Sequence, residues 1–239
     1  MIPRVFAASA ALIEGSDVNY LKNVLRLKVG DEVIVIDNKN KEYSSRIESF
    51  EKKSIKLGLT AELRPRSGSK VNVTIAQGLP KNPKMDIVVQ KATELGAAKI
   101  IPMKTERSIV KVYSEKEKSK VDRWQKIAKE AAEQSGRLSI PLVEKIQDLK
   151  EVLGSCKDCD GRVILWEMEK AMTIKAFLQA NKGIKDLFVL IGPEGGFSHD
   201  EVELAKKNGF TTVSIGSRIL RTETASAAVL SMINYEFEL

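Results

Sequence analysis

From residue 71 onward the chain repeats one pattern: a compact apolar run, then a stretch of helical period, then another run. The runs fall at 71–76, 98–103, 163–166, 187–191 and 212–215. Such runs, most of them separated by stretches of helical period, read as strands. Strands alternating with helices predict an α/β domain with a mostly parallel sheet. The first intervening helix is well punctuated: Asn82 can cap it, Pro83 suits its first turn, and Gly96 can close it. Met85, Val88, Val89, Ala92 and Leu95 make its apolar stripe. A second helix, about 116–135, buries Val121, Trp124, Ala128 and Ala131 and ends at Gly136. The charged residues 114–120 before it read as a solvated face.

Residues before 71 follow a different rule. Short alternating runs at 33–36 and 54–59, separated by the polar turn 37–40, predict a small β-barrel or sheet. The Pro-, Gly- and Ser-containing segment 64–69 reads as a linker, which places the expected domains at 1–68 and 69–239. A length of 239 residues with 43% apolar content is enough for two such cores. No apolar run approaches the roughly 18 residues of a membrane span, and the N-terminal apolar stretch is too short for a signal peptide. With two cysteines unable to form a disulfide framework, the expectation is a cytoplasmic protein.

The formal net charge of +7 favours a polyanionic partner. Residues 1–70 hold 13 basic and 9 acidic residues, net +4, against 26 and 23, net +3, in 71–239. The excess is densest in the smaller domain, where Arg4, Lys22, Arg26 and Lys28 are candidate phosphate contacts. Aromatics are 5% of residues, so binding by many base-stacking platforms is disfavoured.

Two loops can carry chemistry. Residues 191–198, IGPEGGFS, follow an apolar strand and precede a helix whose Ser198 and Glu201 have capping-box spacing. Glycines at the carboxyl end of a strand let a ligand approach the backbone, and a nucleoside suits this edge. The loop lacks both the P-loop ending and the G-x-G-x-x-G spacing, so a triphosphate is disfavoured; a tight structural turn is the plain alternative. Residues 215–225, IGSRILRTETA, form a second loop after the next strand, and together the two would make one crevice. Read plainly, Arg221 and Glu223 are a surface pair and Ile219 and Leu220 are core. Trp166 ends a strand at the same edge and is either a core aromatic or a ligand wall. His199 is the only histidine, which excludes a multi-histidine metal site within one chain; it is expected in the first turn of a helix, facing solvent. Cys156 and Cys159 lack the second pair of a structural zinc site. No metal is expected.

Six segments, VLRLKVGD at 24–31, KATELG at 91–96, TERS at 105–108, EAAEQSGR at 130–137, IGPEGGF at 191–197 and the loop 215–225, stand in the order found in one family. The chain resembles the RsmE-type 16S ribosomal RNA uridine-N3 methyltransferases of the SPOUT class over nearly its whole length. Asn19 and Tyr20 depart from it, standing where that family has histidine. The resemblance implies a small PUA-like RNA-binding β-barrel followed by an α/β methyltransferase domain tied in a trefoil knot. It implies S-adenosyl-L-methionine as cofactor, 16S ribosomal RNA as partner, and a homodimer. By position, the cofactor loops supply Leu165 and Trp166; Ile191, Gly192, Pro193, Gly195 and Gly196; and Ile215, Gly216, Ile219, Leu220, Thr224 and Ala225. Arg221 is the candidate for stabilising charge on the uracil and Glu223 for accepting its proton. Gln90, Glu94, Arg107, Gln134 and Arg137 are candidates for holding the RNA. The same scaffold methylating another RNA position, or serving only as a ribosome-assembly RNA binder, stays open at this point.

Overall fold

A computed structural model of the chain describes residues 2–63, 70–81, 83–108, 114–156 and 158–237. The linker expected at 64–69 and the cap expected at Asn82 lie outside the described residues. The chain divides into two compact units, Met1–Gly68 with Ala132–Ser139, and Ser69–Ala131 with Ile140–Leu239.

The first unit holds β1 (Arg4–Phe6), β2 (Leu12–Glu14), α1 (Ser16–Asn19), a π-helical turn (Tyr20–Val24), β3 (Glu32–Ile36), β4 (Glu42–Phe50) and β5 (Ser54–Glu62). Its sheet runs β1-β3-β4-β5-β2, with β1 parallel to β3 and the other neighbours antiparallel. Val5, Ile13, Leu21, Val33, Val35, Ile47 and Ile55 form the core. The polar turn 37–40 does not join the two expected runs; it joins β3 to β4, a strand that hydrophobic patterning misses. β4 reads EYSSRIESF, with Ile47 and Phe50 its only aliphatic or phenyl side chains. Its inward positions are partly polar: Ser45 is fully buried, and Glu42 is buried where Arg4 Nε donates to its carboxylate at 3.0 Å. Register shifts between Ser44 and Ser45 and between Ile47 and Ser49 break the alternation further.

The second unit is a parallel α/β domain. It comprises β6 (Asn72–Gly78), α2 (Lys84–Glu94), β7 (Lys99–Lys104), α3 (Ser114–Ser135), β8 (Leu142–Val143), β9 (Gln147–Asp148), α4 (Leu149–Gly154), β10 (Gly161–Leu165), α5 (Ile174–Ala180), β11 (Asp186–Ile191), α6 (His199–Lys207), β12 (Thr211–Val213) and α7 (Thr222–Phe237). The strand order is β12-β10-β11-β6-β7-β8, with β9 also on β7, and every pairing is parallel. Successive side chains alternate between two cores. Val73 and Ile75 of β6, with Leu187, Val189 and Ile191 of β11, pack beside α2, α3 and α7; Ala76, Phe188 and Leu190 pack beside α4 and α6. Both faces are covered, and in β11 the apolar run is unbroken from Leu187 to Ile191.

The helix stripe behaves as expected, with Met85, Val88, Val89 and Ala92 buried and Leu95 packed against them, and Gly96 takes φ +93° after the helix. The charged residues 114–120 are not a segment before a helix but the first turns of α3. Strands β11 and β12 are not neighbours; β10 lies between them, so its end also enters any crevice they make. After β12, at the sheet's edge, the chain returns to place α7 against α2, β6 and β11. Among the described residues no helix is long and apolar enough to cross a membrane.

Ile75 sits on β6 between β11 and β7 and is fully buried. Ile75→Ala should therefore lower unfolding stability by about 2–5 kcal/mol, from lost burial and the cavity left behind. Urea denaturation followed by tryptophan fluorescence measures it, and a loss under about 1 kcal/mol would show that the site collapses around the gap.

Candidate functional site

The carboxyl ends of β10, β11 and β12 open into one cleft of about 470 Å³. Most of the sequence-derived cofactor residues line it: Leu165 and Trp166 at the end of β10, Ile191, Gly192, Pro193, Gly195 and Gly196 at the end of β11, and Ile215, Gly216, Ile219, Leu220 and Ala225 beyond β12. Arg221 lines it too and is exposed. Thr224 and Glu223 do not line it; Thr224 is exposed on the first turn of α7. Ile219 is 85% exposed, which corrects its plain reading as core. Ser217, Arg218 and Thr222 of the loop 215–225 line it as well, and sequence reasoning missed Lys84 and Glu167. Lys84 comes from α2, over a hundred residues earlier, and no local pattern ties it to these loops.

Hydrogen bonds hold the loops at the ends of the strands. Thr222 donates its hydroxyl to Gly192 O at 2.6 Å and accepts from Gln77 Nε2 at 2.8 Å. Gln77, fully buried at the end of β6, also donates to Gly78 O at 3.0 Å. The backbone of β6 comes so close to the glycine loop that a Cβ on Gly78 would stand 2.6 Å from Pro193 Cδ. Arg107 donates to Gly195 O at 3.0 Å. The capping box expected for the following helix is present, and Glu201, beyond bonding Ser198 N at 2.9 Å, accepts from Glu106 N at 2.8 Å.

Lys84 forms an ion pair with Glu194 at 3.0 Å and a looser contact with Glu223 at 3.5 Å, which is not a hydrogen bond, since Glu223 Oε2 is buried without a hydrogen-bond partner. Arg221 and Glu223 are thus not paired with each other among the described contacts. Burial would raise the Glu194 carboxyl, but hydrogen bonds from its own backbone N–H, from Lys84 and from Lys81 N–H outweigh it and hold the group below its usual range. The hydrogen bond to Glu194 in turn raises Lys84. Both groups therefore stay charged across neutral pH, and the tether between α2 and the glycine loop is intact there.

Trp166, directly after β10, has Lys206 Nζ 5.4 Å from its ring centre and the His199 ring 6.1 Å away; His199 is exposed at the first residue of α6. Burial pushes both cysteine thiols up, Cys156 fully buried and Cys159 partly, which keeps them protonated and unreactive.

The candidate RNA residues are not gathered in one place. In the first unit Arg4 is committed to Glu42, Lys22 Nζ lies 5.6 Å from the Phe50 ring centre, and Arg26, with φ +56°, and Lys28 are exposed. Gln134 is exposed and Arg137 half-buried, in the segment that groups with that unit. In the second unit Gln90 is exposed on α2, Glu94 is paired with Lys91 at 2.9 Å, and Arg107 alone touches a cleft loop.

Residues 67–234 match the family model of an RNA methyltransferase domain, and residues 13–60 match that of an RNA methyltransferase PUA domain. The chain is 37% identical over 231 residues to ribosomal RNA small subunit methyltransferase E of Bacillus subtilis, covering 95% of this chain and 90% of that one. It is 30% identical to the Rickettsia conorii protein of the same name, covering 90% and 85%. The crystal structure of ribosomal RNA small subunit methyltransferase E from Neisseria gonorrhoeae, bound to S-adenosyl methionine, superposes with a TM-score of 0.89 at 28% identity, covering 99% and 98% of the two chains. The parallel unit accordingly has the SPOUT-type, trefoil-knotted methyltransferase fold, preceded by a PUA-like sheet. Model and relatives agree along almost the whole chain, and by them this protein belongs to the ribosomal RNA small subunit methyltransferase E family.

Proposed function

We propose that the protein transfers the methyl group of S-adenosyl-L-methionine to N3 of a uridine in 16S ribosomal RNA. The observation that carries this is the three-loop cleft: its volume suits a nucleoside, its glycine loop leaves backbone exposed to a ligand, and it presents a cation, Arg221, that no acidic group pairs among the described residues. The residues present fit the cofactor. Gly192 has no room for a side chain, since a Cβ there would lie 3.1 Å from the Gly196 backbone, and Leu165, Ile215, Leu220 and Ala225 supply apolar wall for an adenosine. When bound, the cofactor supplies a methyl group on a positively charged sulfur.

N3 of neutral uridine carries a proton, so the chain must favour its loss and orient the resulting anion. Arg221, exposed in the cleft, stabilises negative charge spreading over the uracil carbonyls. Glu223 is the candidate proton acceptor; its side chain is largely buried beside Lys84 and is not part of the cleft lining. Lys22, Arg26 and Lys28 are the cations proposed to neutralise phosphates, a reading supported by their exposure on the PUA-like unit. Exposed Ile87, Ile219, Met232 and Tyr235 give the methyltransferase domain apolar surface for a second copy, and a homodimer in the cytoplasm is the working assembly.

Incubation with S-adenosylmethionine and unmodified small ribosomal subunits should yield 3-methyluridine in the 16S RNA, detected by nucleoside mass spectrometry; a different methylated nucleoside, or none, would overturn the assignment. Arg221→Ala should lower the single-turnover rate about a hundredfold or more while cofactor affinity and melting temperature stay close to the parent. Parallel losses in all three would make Arg221 a loop-shaping residue instead. Light scattering should give twice the 26.5 kDa chain mass, and a monomer that turned over substrate would sink the dimer.

A further inference from the structure

Glu167 follows Trp166 at the carboxyl end of β10, the strand between β11 and β12, and its side chain lines the cleft. Its neighbour in the lining, Glu194, is engaged by Lys84 and by Lys81 N–H. Glu167, by contrast, makes no hydrogen bond or ion pair among the described residues. Its carboxylate rests on the glycine loop: the two oxygens lie 2.8 and 3.3 Å from the point a Cβ on Gly196 would occupy. Gly196, at φ +66°, is the residue that leaves this space open. Two free acceptor oxygens, beside backbone that a ligand can approach closely, are complementary to a pair of neighbouring hydroxyl donors. In nucleoside sites of α/β sheets an acidic side chain near a strand end commonly holds ribose hydroxyls in this way.

We infer that Glu167 is a specificity-determining residue for the cofactor: its carboxylate accepts hydrogen bonds from the vicinal ribose hydroxyls of the adenosine half. This rests on the cofactor reading proposed above. Two other roles predict different behaviour. Attraction to the sulfonium would favour the charged methyl donor over its neutral product, and proton acceptance from the uracil would alter turnover without altering cofactor affinity.

The test is calorimetric titration of the parent chain, Glu167→Gln and Glu167→Ala with three ligands: S-adenosylmethionine, S-adenosylhomocysteine, and 2′,3′-dideoxy-S-adenosylhomocysteine. Glu167 is exposed, so neither substitution disturbs a core. Glu167→Ala should weaken both ribose-bearing ligands about tenfold or more, as expected for lost hydrogen bonds to a charged group, with Glu167→Gln intermediate. The dideoxy ligand should bind all three proteins within about twofold, since the hydroxyls and the carboxylate then account for one and the same interaction. An equal loss for the dideoxy ligand, a loss confined to S-adenosylmethionine, or unchanged affinities with reduced turnover would each overturn the inference. A parent chain that bound none of the three would overturn the cofactor reading itself, a result distinguishable from any failure of Glu167.

Discussion

The Thr222 hydroxyl, between Gly192 O at 2.6 Å and Gln77 Nε2 at 2.8 Å, joins the end of β6, the loop after β11 and the start of α7 at one buried point. These segments are 30 to 145 residues apart in sequence. The bonds lie where water cannot replace them, so losing one partner leaves the others unsatisfied at a cost of about 1–3 kcal/mol. The junction already carries one such cost, because Gln77 Oε1 is buried without a partner. What it secures is the position of the glycine loop relative to the returning chain, and hence the width of the cleft.

Charge in the cleft is divided by the same architecture. Lys84, from α2, neutralises Glu194 and lies near Glu223, so these groups act as a tether between helix and loop. Arg221 and Glu167 line the cleft from different loops, and neither side chain is paired among the described residues. The separation follows from topology: β10 lies between β11 and β12, so the residue after Trp166 faces the glycine loop, while the loop after β12 supplies the cation. One cleft can then bind a neutral, hydroxyl-rich half of a ligand and still stabilise an anion elsewhere.

The PUA-like unit shows the opposite balance. Its sheet holds a strand, β4, with buried Glu42 and Ser45, made tolerable by the Arg4 ion pair at 3.0 Å. Arg4 therefore serves folding, whereas Lys22, Arg26 and Lys28, singled out beside it in the sequence, are exposed. A basic excess counted along the sequence overstates the available charge by the cations that the fold has already used.

Local rules determined much of this protein. Continuous apolar runs mark strands buried on both faces, the stripe from Met85 to Leu95 marks α2, and Ser198 with Glu201 marks the start of α6, because each depends on residues within a turn or a strand of one another. The two loops that line the cleft were legible for the same reason, since glycines at a strand end are a local signal. Tertiary structure alone decided that β10 separates β11 from β12, that Lys84 enters the cleft, that Glu223 is not among its lining residues, and that Ile219 is exposed rather than core. Strand order and long-range hydrogen bonds couple residues up to 145 positions apart, and the free energy that selects them comes from burial of the whole sheet, a quantity that no window of sequence contains.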